Sequence, residues 1–347
     1  MGRLYLDWNA TAPLRPEARA AMVEAMDLAG NASSVHAEGR RARGLIERAR
    51  AQVAAAIGAE VDGVVFTSGA TEAAAAALAG RDLVCAGIEH DAVRRWCREG
   101  LAVSGGGQVA PDDPAGAALQ LANSETGVVQ VLPRGLAVSD VTQGFGKLPF
   151  AFGWSGVEMA ICSGHKLGGP AGIGALIVGP GLEPAVRLKG GGQELGRRAG
   201  TENIVGIAGF GAAATAAARD LADGVWDAVA ARRDMLEEAM AAASPETLFV
   251  GAGGPRLPNT CLAVTPGWKG AAQVMAMDLA GFAVSAGSAC SSGKIRHSGV
   301  LTAMGLDAAD ADAALRISIG PDVTGDDMLR FAEAWGRAAR KQRARAA

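Results

Sequence analysis

A chain of 347 residues, 49% hydrophobic and 20% charged, with a formal net charge of -3, has the material for one large domain and a smaller one. No run of like charges precedes the basic stretch from Arg337 to Arg345, which argues against nucleic acid or an anionic membrane surface as partner. The apolar stretches are broken by glycine or charge short of a membrane span. The five cysteines (Cys85, Cys97, Cys162, Cys261 and Cys290) are odd in number and lack C-x-x-C, which argues against a disulfide framework and a structural zinc. Leu4-Tyr5-Leu6 reads as a strand with no signal-peptide pattern, so the expectation is a cytoplasmic, metal-free protein.

In chain order, a helix is expected over 14–29, with Pro16 early, Ala18, Met22, Ala25 and Met26 on one face, and Gly30 as the stop. A second, over about 39–57, aligns Leu45, Ala49, Val53 and Ile57 and ends at Gly58. Val64-Val65-Phe66 reads as a strand. The turn Thr67-Ser68-Gly69-Ala70-Thr71-Glu72 then opens an alanine-rich helix to about Leu78. Strand, small-residue turn and helix N-terminus together make an anion site, because unpaired N–H groups and the helix dipole converge there. The same residues also occur as ordinary capping.

Short apolar runs follow: Leu83 to Cys85, Ala118 to Leu121, Leu136 to Val138, Met159 to Ile161 and Ala175 to Val178. Several are continuous rather than alternating, as in a mostly parallel sheet buried on both faces. A glycine-rich stretch over 189–200 precedes helices near 203–219 and 225–243. From about 247 the texture becomes strand (Leu248 to Val250), strand (Cys261 to Thr265), helix (Ala271 to Leu279), strand (Leu315 to Ile319) and a final helix. The expected division is a large domain over 13–222 and a small domain made from 1–12 and 223–347.

Six lysines are present, and Lys166 has the neighbours that a Schiff-base cofactor requires. The apolar run ending at Cys162 leads into Ser163-Gly164-His165-Lys166, and Leu167-Gly168-Gly169-Pro170 lets backbone approach a ligand closely. Asp140 ends a strand where an acid can face a ligand crevice, and pyridoxal 5'-phosphate (PLP) needs such an acid to keep its ring nitrogen protonated. Gln143 is placed to bond the ring's phenolic oxygen or to sit at the surface. His90 starts a helix and either lies over a flat ring or caps that helix. Arg316 sits in an otherwise apolar strand, which is costly unless it is paired, and a substrate carboxylate is a natural bidentate partner. Cys290 lies in Ser288-Ala289-Cys290-Ser291-Ser292-Gly293-Lys294, a small, polar setting near a cation. It reads equally as a travelling nucleophile and as an incidental thiol.

Together these segments resemble the cysteine desulfurases, PLP enzymes of the aspartate-aminotransferase fold, and the group with the longer cysteine loop in particular. The resemblance runs from Tyr5-Leu6-Asp7 to Gly320. It includes Asn9-Ala10-Thr11, Ser33-Ser34-Val35-His36, Glu89-His90, Ser124-Glu125-Thr126-Gly127, Asp140 with Gln143, Ser163 to Lys166, Gly190 to Glu194, Arg198 to Asn203, Gly287 to Gly293 and Arg316-Ile317-Ser318. It implies an α/β, fold-type-I architecture with a mostly parallel sheet and a smaller α+β domain. It also implies that Lys166 carries PLP, with Asp140 on the ring nitrogen and Gln143, Asn123 and Ser124 at the ring. Ala70, Thr71, Ser163 and His165 hold the phosphate, and Thr201 reaches across a homodimer. His90 stacks on the ring and moves protons, while Arg316 and Asn9 hold L-cysteine. Cys290 takes the sulfur as a persulfide, L-alanine leaves, and a protein acceptor receives the sulfur for iron–sulfur or other thio-cofactor synthesis.

The chain departs from that pattern in several places. Asn123-Ser124 replaces two asparagines, Ala74 and Ala75 replace two more, Ala32 replaces a proline and Gly299 a histidine. The stretches 130–140 and 100–121 are short. The acid, lysine, arginine and cysteine remain. The competing readings are a selenocysteine lyase or aminotransferase, a low-activity member acting as a sulfur relay, and a nucleotide-binding protein. The last is opposed by the lack of G-x-G-x-x-G and G-x-x-x-x-G-K-[ST] motifs.

Overall fold

The computed structural model describes residues 2–287 and 298–346. Cys290 and Lys294 lie outside the described residues.

The helix Ala37–Ile57 starts where the His36 side chain accepts from Gly39 N. It ends where Gly58 turns left-handed at φ 69° and its N–H reaches Ala54 O. Ala42, Ile46, Ala49 and Val53 are buried along it, and it packs with Pro16–Met26 against Ile204–Ala222. The helix Ile204–Ala222 is long and apolar enough by composition to cross a membrane, but its glycines and alanines are buried against these two helices.

The central sheet runs Val64–Thr67, Gly174–Val178, Met159–Ser163, Val138–Asp140. Gly174–Val178 is antiparallel to both neighbours, and Met159–Ser163 is parallel to Val138–Asp140. Parallel bridges from Val138 to Ala118 and from Ala117 to Val84 carry the sheet on to the parallel pair Val84–Ala86 and Arg98–Leu101. Five strands of the central sheet are buried throughout or nearly so, which explains their unbroken apolar runs.

The run from Ala118 to Leu121 differs from expectation. It lies between two strands and bonds to both, Ala118 N to Val84 O at 2.9 Å and Leu119 N to Val138 O at 3.0 Å. Past Ala86 its neighbour has ended, and Gln120 N turns to Glu89 Oε1 instead, so only isolated bridges form. The first helix also stops at Met26 rather than near 29.

After a break at Gly224 (φ 71°), Val225–Ala243 packs against the terminal helix Gly325–Ala346. Beside them is an antiparallel sheet in the order Ser285–Ala286, Ala314–Ser318, Thr260–Val264, Leu248–Phe249. The N-terminus returns here: Leu4–Tyr5 pairs in parallel with Phe282–Ala283, and Leu6 joins Trp226, Phe331 and Trp335 in one buried cluster. Residues 7–11 are thereby delivered to the C-terminal edge of the central sheet.

Candidate active site

Met159–Ser163 ends in a single tight turn, Gly164–Lys166, because Gly164 N bonds Ile173 O and an added Cβ at Gly164 would come within 2.9 Å of the Ile173 side chain. That turn aims Lys166 into a cavity of about 350 Å³ whose walls include Ala70, Thr71, His90, Ser124, Asp140, Gln143, Ser163 and His165. Eight residues expected at the cofactor from the sequence therefore share one space with the lysine, and Asn123 and Thr201 do not line it.

Lys166 Nζ donates to Asn9 O at 2.6 Å and to Ala10 O at 2.8 Å. Asp140 stands at its strand's end, with Oδ1 accepting from Thr142 N at 2.9 Å. The helix from Ala70 has Gly69 as its N-cap (φ 154°, ψ 177°) and no side-chain cap, so its first N–H groups face the cavity without acceptors a turn back. Glu72 accepts from Ser68 N at 2.8 Å and from Arg198, which braces this turn. His165 bonds Thr11 Oγ1 through Nδ1, and burial beside Lys166 and Lys147 pulls its pKa down to about 4, so the ring is neutral at pH 7. An amine, a carboxylate and an uncapped helix N-terminus on three walls match the chemistry of PLP's aldehyde, ring nitrogen and phosphate. The residues present fit that cofactor.

His90 combines its two expected roles: its Nδ1 accepts from Ala92 N at 3.1 Å as a helix cap, and it also lines the cavity. Gln143 faces the cavity while its Nε2 donates to Asn9 O at 2.9 Å.

Asn123 lies elsewhere. It is buried, its Nδ2 donates to Ile88 O, and its Oδ1 accepts from the N–H groups of Glu125 and Thr126, so its side chain is spent on shaping the turn. Asn9 contributes its carbonyl, not its side chain, which is saturated by Ser124 O, Thr260 and Asn259. Thr201 is exposed and lines an adjoining cleft with Ser68, Gly172 and Arg198.

Arg316 is 1% exposed and does have a partner, but an internal one. Nη2 donates to Asp7 Oδ1 at 2.8 Å and Nη1 to Ser124 O at 3.0 Å, which leaves Nε buried with no acceptor among the described residues. The expense of burying this arginine is thus met within the chain.

Three groups were not anticipated. Lys147 is 3% exposed and donates to Gln143 Oε1 at 3.1 Å. Burial, with Lys166 and Arg316 nearby, pulls its pKa down to about 7. Glu125 accepts from Ser298 Oγ at 2.5 Å, and burial pushes its carboxyl up to about 7 against the pull of Ser298, Arg316 and His90. Glu89 is held well above the usual carboxylate range by burial, with one oxygen on Gln120 N and the other without a partner among the described residues. The spacing of Lys147 four residues beyond Gln143 was the available signal for the first, and one sequence cannot show that the position is buried.

Residues 4–100 and 112–331 match the family described as Aminotransferase class-V. A cysteine desulfurase from Frankia sp. (strain EuIK1) is 38% identical, with 96% of this chain and 91% of that protein covered. Among solved structures, a NifS-like protein from Rickettsia africae superimposes with a TM-score of 0.87 at 30% identity, covering 96% of this chain and 99% of that one. A structure described as SspA in complex with cysteine does so with a TM-score of 0.77 at 26% identity, covering 92% and 99%. The chain belongs to the class-V aminotransferase family, a family of PLP enzymes, and within it to the cysteine desulfurases. It is an enzyme of that kind.

Proposed function

We propose that the protein converts L-cysteine to L-alanine with PLP held through Lys166, and that the sulfur passes to Cys290 as a persulfide. The observation that carries this reading is the convergence of the Lys166 amine, the Asp140 carboxylate and the uncapped helix N-terminus at Ala70 on one cavity. Bound there, PLP supplies an electron sink that acidifies the substrate's α-carbon. Asp140 holds the proton on the ring nitrogen, and Gln143 and Ser124 orient the ring edge. Ala70, Thr71, Ser163 and His165 bind the phosphate, where a neutral His165 serves as a hydrogen-bonding group. His90, at the cavity wall, moves protons at the substrate carbon. The Cys290 thiolate forms an S–S bond with the substrate sulfur as the substrate C–S bond breaks, and the carbon takes up a proton to leave as alanine.

The reading extends to a cytoplasmic homodimer in which Thr201 completes the partner subunit's phosphate site, and to a protein sulfur acceptor in iron–sulfur or related synthesis. Arg316 holds the substrate carboxylate if Asp7 yields it. The test is release of alanine and sulfide from L-cysteine by the PLP-loaded protein with reductant present. Cys290→Ala is expected to keep the visible absorbance and lose sulfide release; undiminished release sinks the persulfide step. A protein that stays colourless with added PLP sinks the whole reading.

A further inference from the structure

Lys147 is a buried lysine that this mechanism does not use. Among the described residues no carboxylate lies within ion-pair distance of it, and the charged groups that face it are Lys166 and Arg316, both cations. Its bond at 3.1 Å is to Gln143 Oε1, and the same amide's Nε2 donates to Asn9 O at 2.9 Å. Asn9 O, a carbonyl, can only accept, and it also accepts from Lys166 Nζ at 2.6 Å. Asn9 is itself immobilised by Ser124, Thr260 and Asn259. Gln143 is therefore clamped at both ends of its amide by groups of opposite hydrogen-bonding sense, while the side chain lines the cavity. A glutamine held only by Asn9 can keep that bond and still swing its carbonyl round toward the cavity. One whose Oε1 is also held by the Lys147 ammonium cannot, because the swing would break that second bond.

Resting on the reading of the cavity as a PLP site, we propose that Lys147 is a positioning residue: it locks the Gln143 amide so that the second N–H of Nε2 is kept for the phenolic oxygen of the bound ring. Lys147 itself touches neither cofactor nor substrate. A donor on that oxygen favours its ionised form and so lowers the pH at which the visible band of the PLP-loaded protein titrates. The other titratable groups facing the cavity are Lys166, Glu72, Asp140, His165 and His90, and the variants leave all five in place.

The experiment is a spectrophotometric pH titration of PLP-loaded wild type, Lys147→Met, Gln143→Leu and the double variant. Lys147→Met is expected to raise the midpoint by about one pH unit, a tenfold change in the acid constant. The double variant is expected to titrate with Gln143→Leu alone, because Lys147 acts through that side chain. Lys147→Gln, polar but too short to reach Gln143 Oε1, is expected to shift like Lys147→Met and decides the matter if the methionine variant does not fold. An unchanged midpoint in a Lys147 variant that retains the band overturns the inference alone, as does a double variant whose shift is the sum of the two singles. A wild type that never acquires the band overturns the reading of the cavity and the inference with it.

Discussion

Removing the Glu194 carboxylate is expected to be among the most damaging single changes outside the cavity. Arg50 Nη1 and Nη2 meet Glu194 Oε2 and Oε1 at 2.7 and 2.8 Å, Phe66 N donates to the same Oε2 at 2.8 Å, and the guanidinium lies 4.9 Å from the Phe66 ring centre. The Glu194 side chain is 2% exposed and Arg50 10% exposed. Glu194→Ala leaves a buried cation without its carboxylate, for which about 3–5 kcal/mol is typical. The orphaned Phe66 N–H adds about 1–3 kcal/mol. Glu47, 3.2 Å from Arg50 Nε and half exposed, remains as a partial partner and holds the sum to the lower end of these ranges. The net loss is about 4 kcal/mol, or a fall of roughly 1 M in the urea midpoint if m is near 3 kcal/mol/M. Glu194→Gln keeps the shape and one acceptor and is expected to lose about half as much. Because Phe66 precedes the Ser68-Gly69 turn by two residues, Glu194→Ala is also expected to weaken PLP retention. Equal midpoints for the alanine variant and wild type would refute the reasoning. Glu183→Ala, which removes an exposed carboxylate paired with Arg197, provides the contrast at under about 1 kcal/mol.

Two pH effects follow from groups in and beside the cavity. Glu125 has a folded value of about 7, raised above that of an ordinary carboxyl, so its contribution is complete at low pH and is lost as pH rises through 7. Cofactor-free wild type should lose about 2 kcal/mol relative to Glu125→Gln between roughly pH 4.5 and 7.5, read from urea midpoints; parallel pH profiles would dismiss this. His165 has a folded value of about 4, below that of an ordinary imidazole, so its contribution is complete above about pH 6.5 and is lost as pH falls toward 4. His165→Gln should flatten the acid side of the thermal-stability profile by about 2 kcal/mol after solvent screening, and an unaltered acid limb would count against a buried neutral ring.

The parts of the site that could be read in advance are local ones. Ser163 to Lys166, the turn at Gly69-Ala70-Thr71 and the Asp140–Gln143 pair each sit within one strand-to-turn passage, so residue type and order carry their chemistry. The helix expected over about 39–57 was legible through periodicity and a glycine cap, although it starts two residues earlier, at Ala37, and the helix over 225–243 lies where it was expected. Three things required the assembled chain. Arg316 in an apolar strand announces a partner, but the choice of Asp7, 309 residues away, depends on the N-terminus returning beside Ala314–Ser318. Asn9 and Asn123 carry side chains that suit a ligand, yet both are consumed by neighbours that only packing supplies.

Lys166 in its small-residue turn, with an acid and a helix N-terminus in the same chain, was enough to suggest the proposed cofactor chemistry, because each of those features is built from consecutive residues. The company Lys166 keeps was not, because burial and distant backbone create it. Asn9 O gathers Lys166 and Gln143 to one atom, and Lys147 acquires significance only once it is shut away from water with no acid beside it.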